Sequence, residues 1–176
     1  LAHCIEAYFN RTTNDICRTF AVRGIRILIE MLKKTAVYQA SSLTFEDREK
    51  LYCASIYGGL AISVSGTCFP HGMGYFLSEQ YGIPHGYACA VYLPAFIDHN
   101  VQCATDEAKQ FFLDIGTDRD ALNAIIHSNF PDLGVKLSEE KLQELLPRFI
   151  DNKNLQKCYG DVNVNVAEGI LRKLFM

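Results

Sequence analysis

Along most of this chain the apolar residues recur at spacings of three to four, the period of an α-helix buried on one side. The spacing of two that marks a half-buried strand is nearly missing. Over residues 15–39, Ile16, Phe20, Ile27, Met31 and Leu32 follow the helical period or its multiples with Arg and Lys between them, which predicts a long amphipathic helix. A second helix opens at Thr44-Phe45-Glu46-Asp47, where a threonine three residues ahead of an acid resembles a capping box. It continues through Leu51, Tyr52, Ile56 and Leu60 to about Gly66. Pro70 stands where proline is tolerated, in a first helical turn, and the helix it opens is broken by Gly82 and Pro84. Another is predicted over residues 85–100, and further ones over 119–130, 138–150 and 165–174. The brief alternation at Val162 to Val166 is too short to support a sheet, so the predicted fold class is all-α.

With 176 residues and 49% apolar content, the chain can bury one sizeable core, and no repeat or Pro/Ser-rich linker divides it. A single domain over residues 1–176 is expected. The net charge of -3 arises from intermixed acids and bases, and no Lys/Arg run could neutralise a row of phosphates, so nucleic acid and anionic membrane are poor partners. The most apolar region, residues 88–97, ends in Asp98-His99-Asn100, short of the eighteen or so residues of a bilayer span; the expectation is a soluble protein. Seven cysteines without CxxC spacing read as reduced, mostly core thiols, which favours a cytoplasmic location. The first residues have neither the basic start nor the apolar core of a signal peptide, and read like a helix entered midway.

Three of the five histidines stand in unusual company. His3 lies in the first helical stretch, while Pro70-His71-Gly72 and Pro84-His85-Gly86 flank the Gly-Ile-Pro break. In one continuous helix the latter two would be about 21 Å apart at roughly 1.5 Å per residue, too far to share an ion. If the break folds the two helices back on each other, both imidazoles can enter one pocket, and the neighbouring glycines let another backbone or a ligand come close. By spacing alone these histidines are also compatible with packing in a non-enzymatic helical interaction domain. His99 and His127 have no such context and read as ordinary helix residues.

Leu1-Ala-His-Cys-Ile-Glu-Ala-Tyr8, Gly66-Thr-Cys-Phe-Pro-His-Gly-Met-Gly-Tyr75 and Gly82-Ile-Pro-His-Gly86 closely resemble, in order and spacing, the metal-binding signature of the iron-containing alcohol dehydrogenases. Leu93-Pro94 followed by His99-Asn100 is similar to the family's pattern at the end of the helix carrying the last ligand. The resemblance is specific over residues 1–100 and generic beyond. It implies the helical C-terminal domain of the dehydroquinate synthase-like and iron alcohol dehydrogenase fold, with NAD or NADP bound by a separate α/β domain. It also implies a divalent ion, Fe2+ with Zn2+ or another divalent metal as alternatives, held by His3, His71, His85 and an aspartate four residues before the first histidine. That aspartate would fall two residues before Leu1. Glu6 matches an acid of the ordinary motif and is expected to support the site rather than to ligate. Tyr75 replaces a histidine found in several members and is expected in the wall of the substrate pocket. The implied substrates are small alcohols and aldehydes, and members are often dimers or larger. No GxGxxG follows a strand here, so this chain is expected to lack turnover by itself.

Overall fold

The computed structural model describes residues 1–37, 40–130 and 132–176. Among them are α1 (Ala2–Tyr8), α2 (Asp15–Val37), α3 (Phe45–Ser65), α4 (Phe69–Tyr81), α5 (His85–Ala90), α6 (Leu93–Cys103), α7 (Thr105–Ile115), α8 (Arg119–Asn129), α9 (Glu139–Leu145), α10 (Lys153–Gln156) and α11 (Val164–Phe175). No strand occurs among the described residues, and no single helix there is long and apolar enough to cross a membrane. The fold is therefore all-α, as the periodicity predicts.

Most predicted boundaries fall close to the observed ones. The predicted end of the first long helix, at Gln39, lies outside the described residues. The departures have local causes. The helix expected over residues 85–100 is two, because a continuous one would require Pro94 to donate an N–H to the Ala90 carbonyl; α6 begins instead with Pro94 in its first turn. Pro147 acts likewise on the helix expected over 138–150, which gives way after α9 to a 3-10 turn over Leu146–Phe149. The alternation at Val162 to Val166 is no strand: Asn163 caps α11 by accepting from the N–H groups of Asn165 and Val166. Helix α7 was not among the predicted elements, although Ala108, Phe111 and Ile115 bury one of its faces.

One hydrophobic core runs from α1 to α11. Its centre is aromatic: Phe9, Phe69 and Phe111 surround Phe96 and Tyr8 in mostly edge-to-face contacts, with ring centroids 4.7–6.1 Å apart. Against this centre α2 and α3 form an antiparallel hairpin, Lys34 facing Asp47 and Glu30 facing Lys50. The short α1 wedges between them. A Cβ on Gly24 would stand 2.7 Å from the Cys4 sulfur, and one on Gly58 3.3 Å from the His3 Cβ, so glycine at both positions lets α1 sit deep enough for His3 to reach the far side.

The connection between α4 and α5 brings the second and third histidines together. Gly82 takes a left-handed conformation at φ 65°, and the Ile83 N–H bonds back to the Leu77 carbonyl at 3.2 Å. Pro84 then starts α5 in a new direction. The two helices approach so closely that a Cβ on Gly74 would lie 2.8 Å from the Ala88 carbonyl oxygen, whereas one on Gly86 would meet nothing within 4 Å. Gly74→Ala should therefore destabilise the fold by about 1–3 kcal/mol, since backbone cannot swing aside as a side chain can. Gly86→Ala should be neutral or stabilising by up to about 1 kcal/mol. Thermal unfolding of the two variants checks the contrast.

At the start of α3, Thr44 Oγ1 accepts from the Asp47 N–H at 3.2 Å while Asp47 Oδ2 accepts from the Thr44 N–H at 2.9 Å, completing the predicted capping box. Lys34 adds a 2.5 Å ion pair to the same oxygen. Lys34 first, then the Thr44 N–H, holds the Asp47 carboxyl down at about 2. A depressed carboxyl contributes stability that is fully present above its unfolded value and is lost as pH falls towards the folded one. Thr44→Ala should cost about 0.5–2 kcal/mol. Asp47→Asn should remove part of the stability lost between about pH 4 and pH 2, read from urea midpoints at a series of acid pH values.

Candidate metal centre

His3, His71 and His85 all line one cavity of about 380 Å³. His71 is buried in the first turn of α4, His85 opens α5, and His3 arrives from α1. The His71 ring lies 4.9 Å from that of His3 with an interplanar angle of 21°, and 5.1 Å from that of His85 at 75°. Two imidazoles that bind one cation through nitrogens about 2.0–2.1 Å from it have ring centres roughly 5 Å apart, so both neighbouring pairs have the spacing a shared ion needs.

The orientation of His71 is fixed from behind. Glu6, 0% exposed, places Oε1 2.5 Å from His71 Nδ1, while Oε2 accepts the N–H of Cys68 at 2.7 Å and that of His71 at 3.4 Å. Surrounded by donors, the carboxylate accepts a hydrogen bond from Nδ1–H as one more, which leaves Nε2 as the ring nitrogen open to the cavity. Burial pushes the Glu6 carboxyl up from the usual carboxylate range; the bond to His71 and then the two backbone N–H groups oppose it. Glu6 thus supports the site from behind one of its histidines, as the motif implies.

His3 and His85 are both shifted towards the neutral form. Burial first, then the neighbouring His71, holds His3 down at about 4; burial, then His71, lowers His85 as well. Neutral imidazole is the form that can ligate.

Tyr75, expected in the pocket wall, lies flat against His85 with ring centres 5.7 Å apart and an angle of 9°. It is 43% exposed and is not among the residues lining the cavity. His99 stands apart, its Nε2 donating to the Tyr159 carbonyl at 2.7 Å and its ring against Phe69. His127 borders a different cavity.

One further donor escaped the sequence reading. Among the described residues, the set of possible ligand atoms all within 4.8 Å of one another is formed by His71, His85 and Cys89, with His3 outside it. Cys89 is 1% exposed, and burial, then the nearby Glu6, pushes its thiol up to about 12. The signal that could have revealed it is the four-residue spacing of His85 and Cys89 on one helix. As a donor set, neutral imidazoles with an adjacent thiol fit borderline divalent ions such as zinc, cobalt and iron.

Comparison with known proteins agrees with this architecture. Residues 1–173 match the model of the C-terminal part of the Fe-containing alcohol dehydrogenase family. The 1,3-propanediol dehydrogenase of Citrobacter freundii is 29% identical over 125 residues, 71% of this chain and 32% of that protein. That of Klebsiella pneumoniae is 33% identical over 101 residues, 57% of this chain and 25% of that protein. Among solved structures, a sulfoacetaldehyde reductase from Bifidobacterium kashiwanohense in complex with NAD+ superposes with a TM-score of 0.87 at 25% identity, covering 98% of this chain and 47% of that one. The chain thus matches about a third or less of these curated relatives and about half of the solved protein. With the family model spanning nearly its whole length and the all-helical fold shared, this chain belongs to the Fe-containing alcohol dehydrogenase family, whose C-terminal domain it represents.

Proposed function

We propose that this chain is the metal-holding part of an NAD(P)-linked alcohol dehydrogenase that interconverts a small alcohol with its aldehyde or ketone. The observation that carries the reading is the buried Glu6–His71 pair, which engages Nδ1 from behind and leaves Nε2 for a cavity that His3 and His85 also line. A divalent cation held there supplies Lewis acidity to the oxygen of an alcohol or carbonyl.

The chain's own residues provide the rest of the setting. His3, His71 and His85 would hold the ion through their ring nitrogens, with the pKa values of His3 and His85 lowered in favour of the neutral form that ligates. Leu1, Ala2, Pro84, Ala90 and Phe130 add an apolar wall that admits a small organic molecule and limits water. Tyr75, flat against His85, restrains the orientation of that ring. The nicotinamide dinucleotide is bound outside these 176 residues, which contain no glycine-rich phosphate cradle. The relative in complex with NAD+, of which this chain covers 47%, supports that division. Its likeness to a 1,3-propanediol dehydrogenase and a sulfoacetaldehyde reductase supports small alcohols and aldehydes as the substrate class.

Equilibrium dialysis against zinc or cobalt tests the metal assignment. The chain should bind one ion, and a His3→Ala, His71→Ala, His85→Ala variant should bind none; undiminished stoichiometry in that variant would sink it. Mixed with an alcohol and NAD or NADP, the 176-residue chain should show no turnover.

Glu6→Gln tests the orientation of His71. The amide oxygen can replace Oε2 as acceptor from Cys68, which turns the amide NH2 towards Nδ1 and moves the ring proton to Nε2. Nitrogen-15 NMR of the imidazole should report the reversed tautomer in the metal-free chain, and metal affinity should fall by about 10–100-fold.

A further inference from the structure

We propose that Cys89 is a metal ligand, its thiolate joining the imidazoles of His71 and His85 around one divalent cation and biasing the site towards thiophilic ions such as zinc and cobalt. This deepens the metal-site reading above and rests on it.

Three features of the geometry carry the assignment. The donor atoms of His71, His85 and Cys89 all lie within 4.8 Å of one another, compact enough to converge on one ion. His85 and Cys89 are four residues apart on α5, so their side chains share a face, and the sulfur lies 3.7 Å from His85 Nε2. A nitrogen about 2.0–2.1 Å and a sulfur about 2.3 Å from a tetrahedral ion are about 3.6 Å apart, so α5 already sets that pair at ligand separation. Cys89 is also among the residues lining the cavity that the three histidines line.

Other cysteines lack this combination. Cys4 fills the space between Gly24 and Gly58. Cys103 stands one turn from His99, with its sulfur 4.0 Å from Nδ1, but no third donor completes a group there among the described residues.

The chemistry balances without an oxidant. Coordination replaces the S–H bond of Cys89 by a sulfur–metal bond, the proton leaves to solvent, and no electrons change hands. The thiolate cancels one charge of the dication and is softer than a carboxylate, which turns the preference from iron towards zinc.

X-ray absorption at the zinc edge, on the full chain loaded with one equivalent of zinc, decides the matter without relying on activity. The expected result is a sulfur scatterer at about 2.3 Å beside nitrogen or oxygen at about 2.0–2.1 Å, retained in Cys103→Ser and lost in Cys89→Ser. Should Cys89→Ser lose its helical circular dichroism, Cys89→Ala takes its place, with a small apolar side chain at the same position. Bound zinc with only a nitrogen and oxygen shell in the unsubstituted chain overturns the proposal and leaves the histidine site standing. A sulfur shell that survives loss of Cys89 also overturns it. Failure to bind zinc at all overturns this proposal and the metal-site reading together.

Discussion

The buried carboxylate of Glu6 is the contact on which the site and its scaffold both depend. An ionisable group with no exposed surface is tolerated only where donors replace the lost water, and Glu6 has three: the backbone N–H groups of Cys68 and His71 and the ring of His71. Two of these are the orphan donors at the start of α4. Its N-cap residue, Cys68, makes no side-chain cap bond, so the cap comes from α1, some sixty residues earlier in sequence. Negative charge at a helix N-terminus is also the favourable sign for the helix dipole. One side chain therefore caps α4, ties it to α1 and chooses which nitrogen of His71 faces the cavity.

Close backbone approaches do the remaining positioning, and each histidine depends on a different one. His3 reaches the cavity because Gly24 and Gly58 let α1 sink between α2 and α3. His85 reaches it because Gly74 allows α5 to rest against α4 through the Ala88 carbonyl. Gly72, adjacent to His71, serves the opposite side: a Cβ there would stand 2.9 Å from Asn152 Oδ1 and 3.0 Å from Leu155. The glycine next to a histidine in sequence is thus not always the one that makes room for it. Gly86 follows His85 directly and contacts nothing within 4 Å, while Gly74, eleven residues before His85, bears the approach.

Much of this was legible in sequence because it is local. Helical periodicity, the Thr44–Asp47 box and the Gly82–Pro84 break all act within a few residues, and the structure realises them. The prolines at 94 and 147 were equally local; the resulting breaks follow from the missing N–H and were readable in principle. The same holds for α7, whose Ala108, Phe111 and Ile115 keep helical spacing. What the sequence could not supply is the set of partners across the fold. That Glu6 meets His71 rather than the cavity, that Tyr75 stacks on His85 with an exposed edge, and that Cys89 rather than Cys4 lies among the ring nitrogens all depend on how α1, α4 and α5 cross.

Two histidine–cysteine pairs make the distinction concrete. His85–Cys89 and His99–Cys103 have the same four-residue spacing, each within or at the start of a helix, and in each the sulfur lies near the ring. Their surroundings separate them. His99 spends Nε2 on the Tyr159 carbonyl, and a Cβ at Gly160 would stand 2.9 Å from the Cys103 sulfur, so this pair packs the turn before α11 onto α6. Among the described residues the His85 ring bonds no carbonyl; it faces His71, whose Nδ1 is already engaged by Glu6. Spacing on one helix brings two donors together; what sets His85 and Cys89 apart from His99 and Cys103 is a third donor from another helix, His71, oriented by a buried carboxylate.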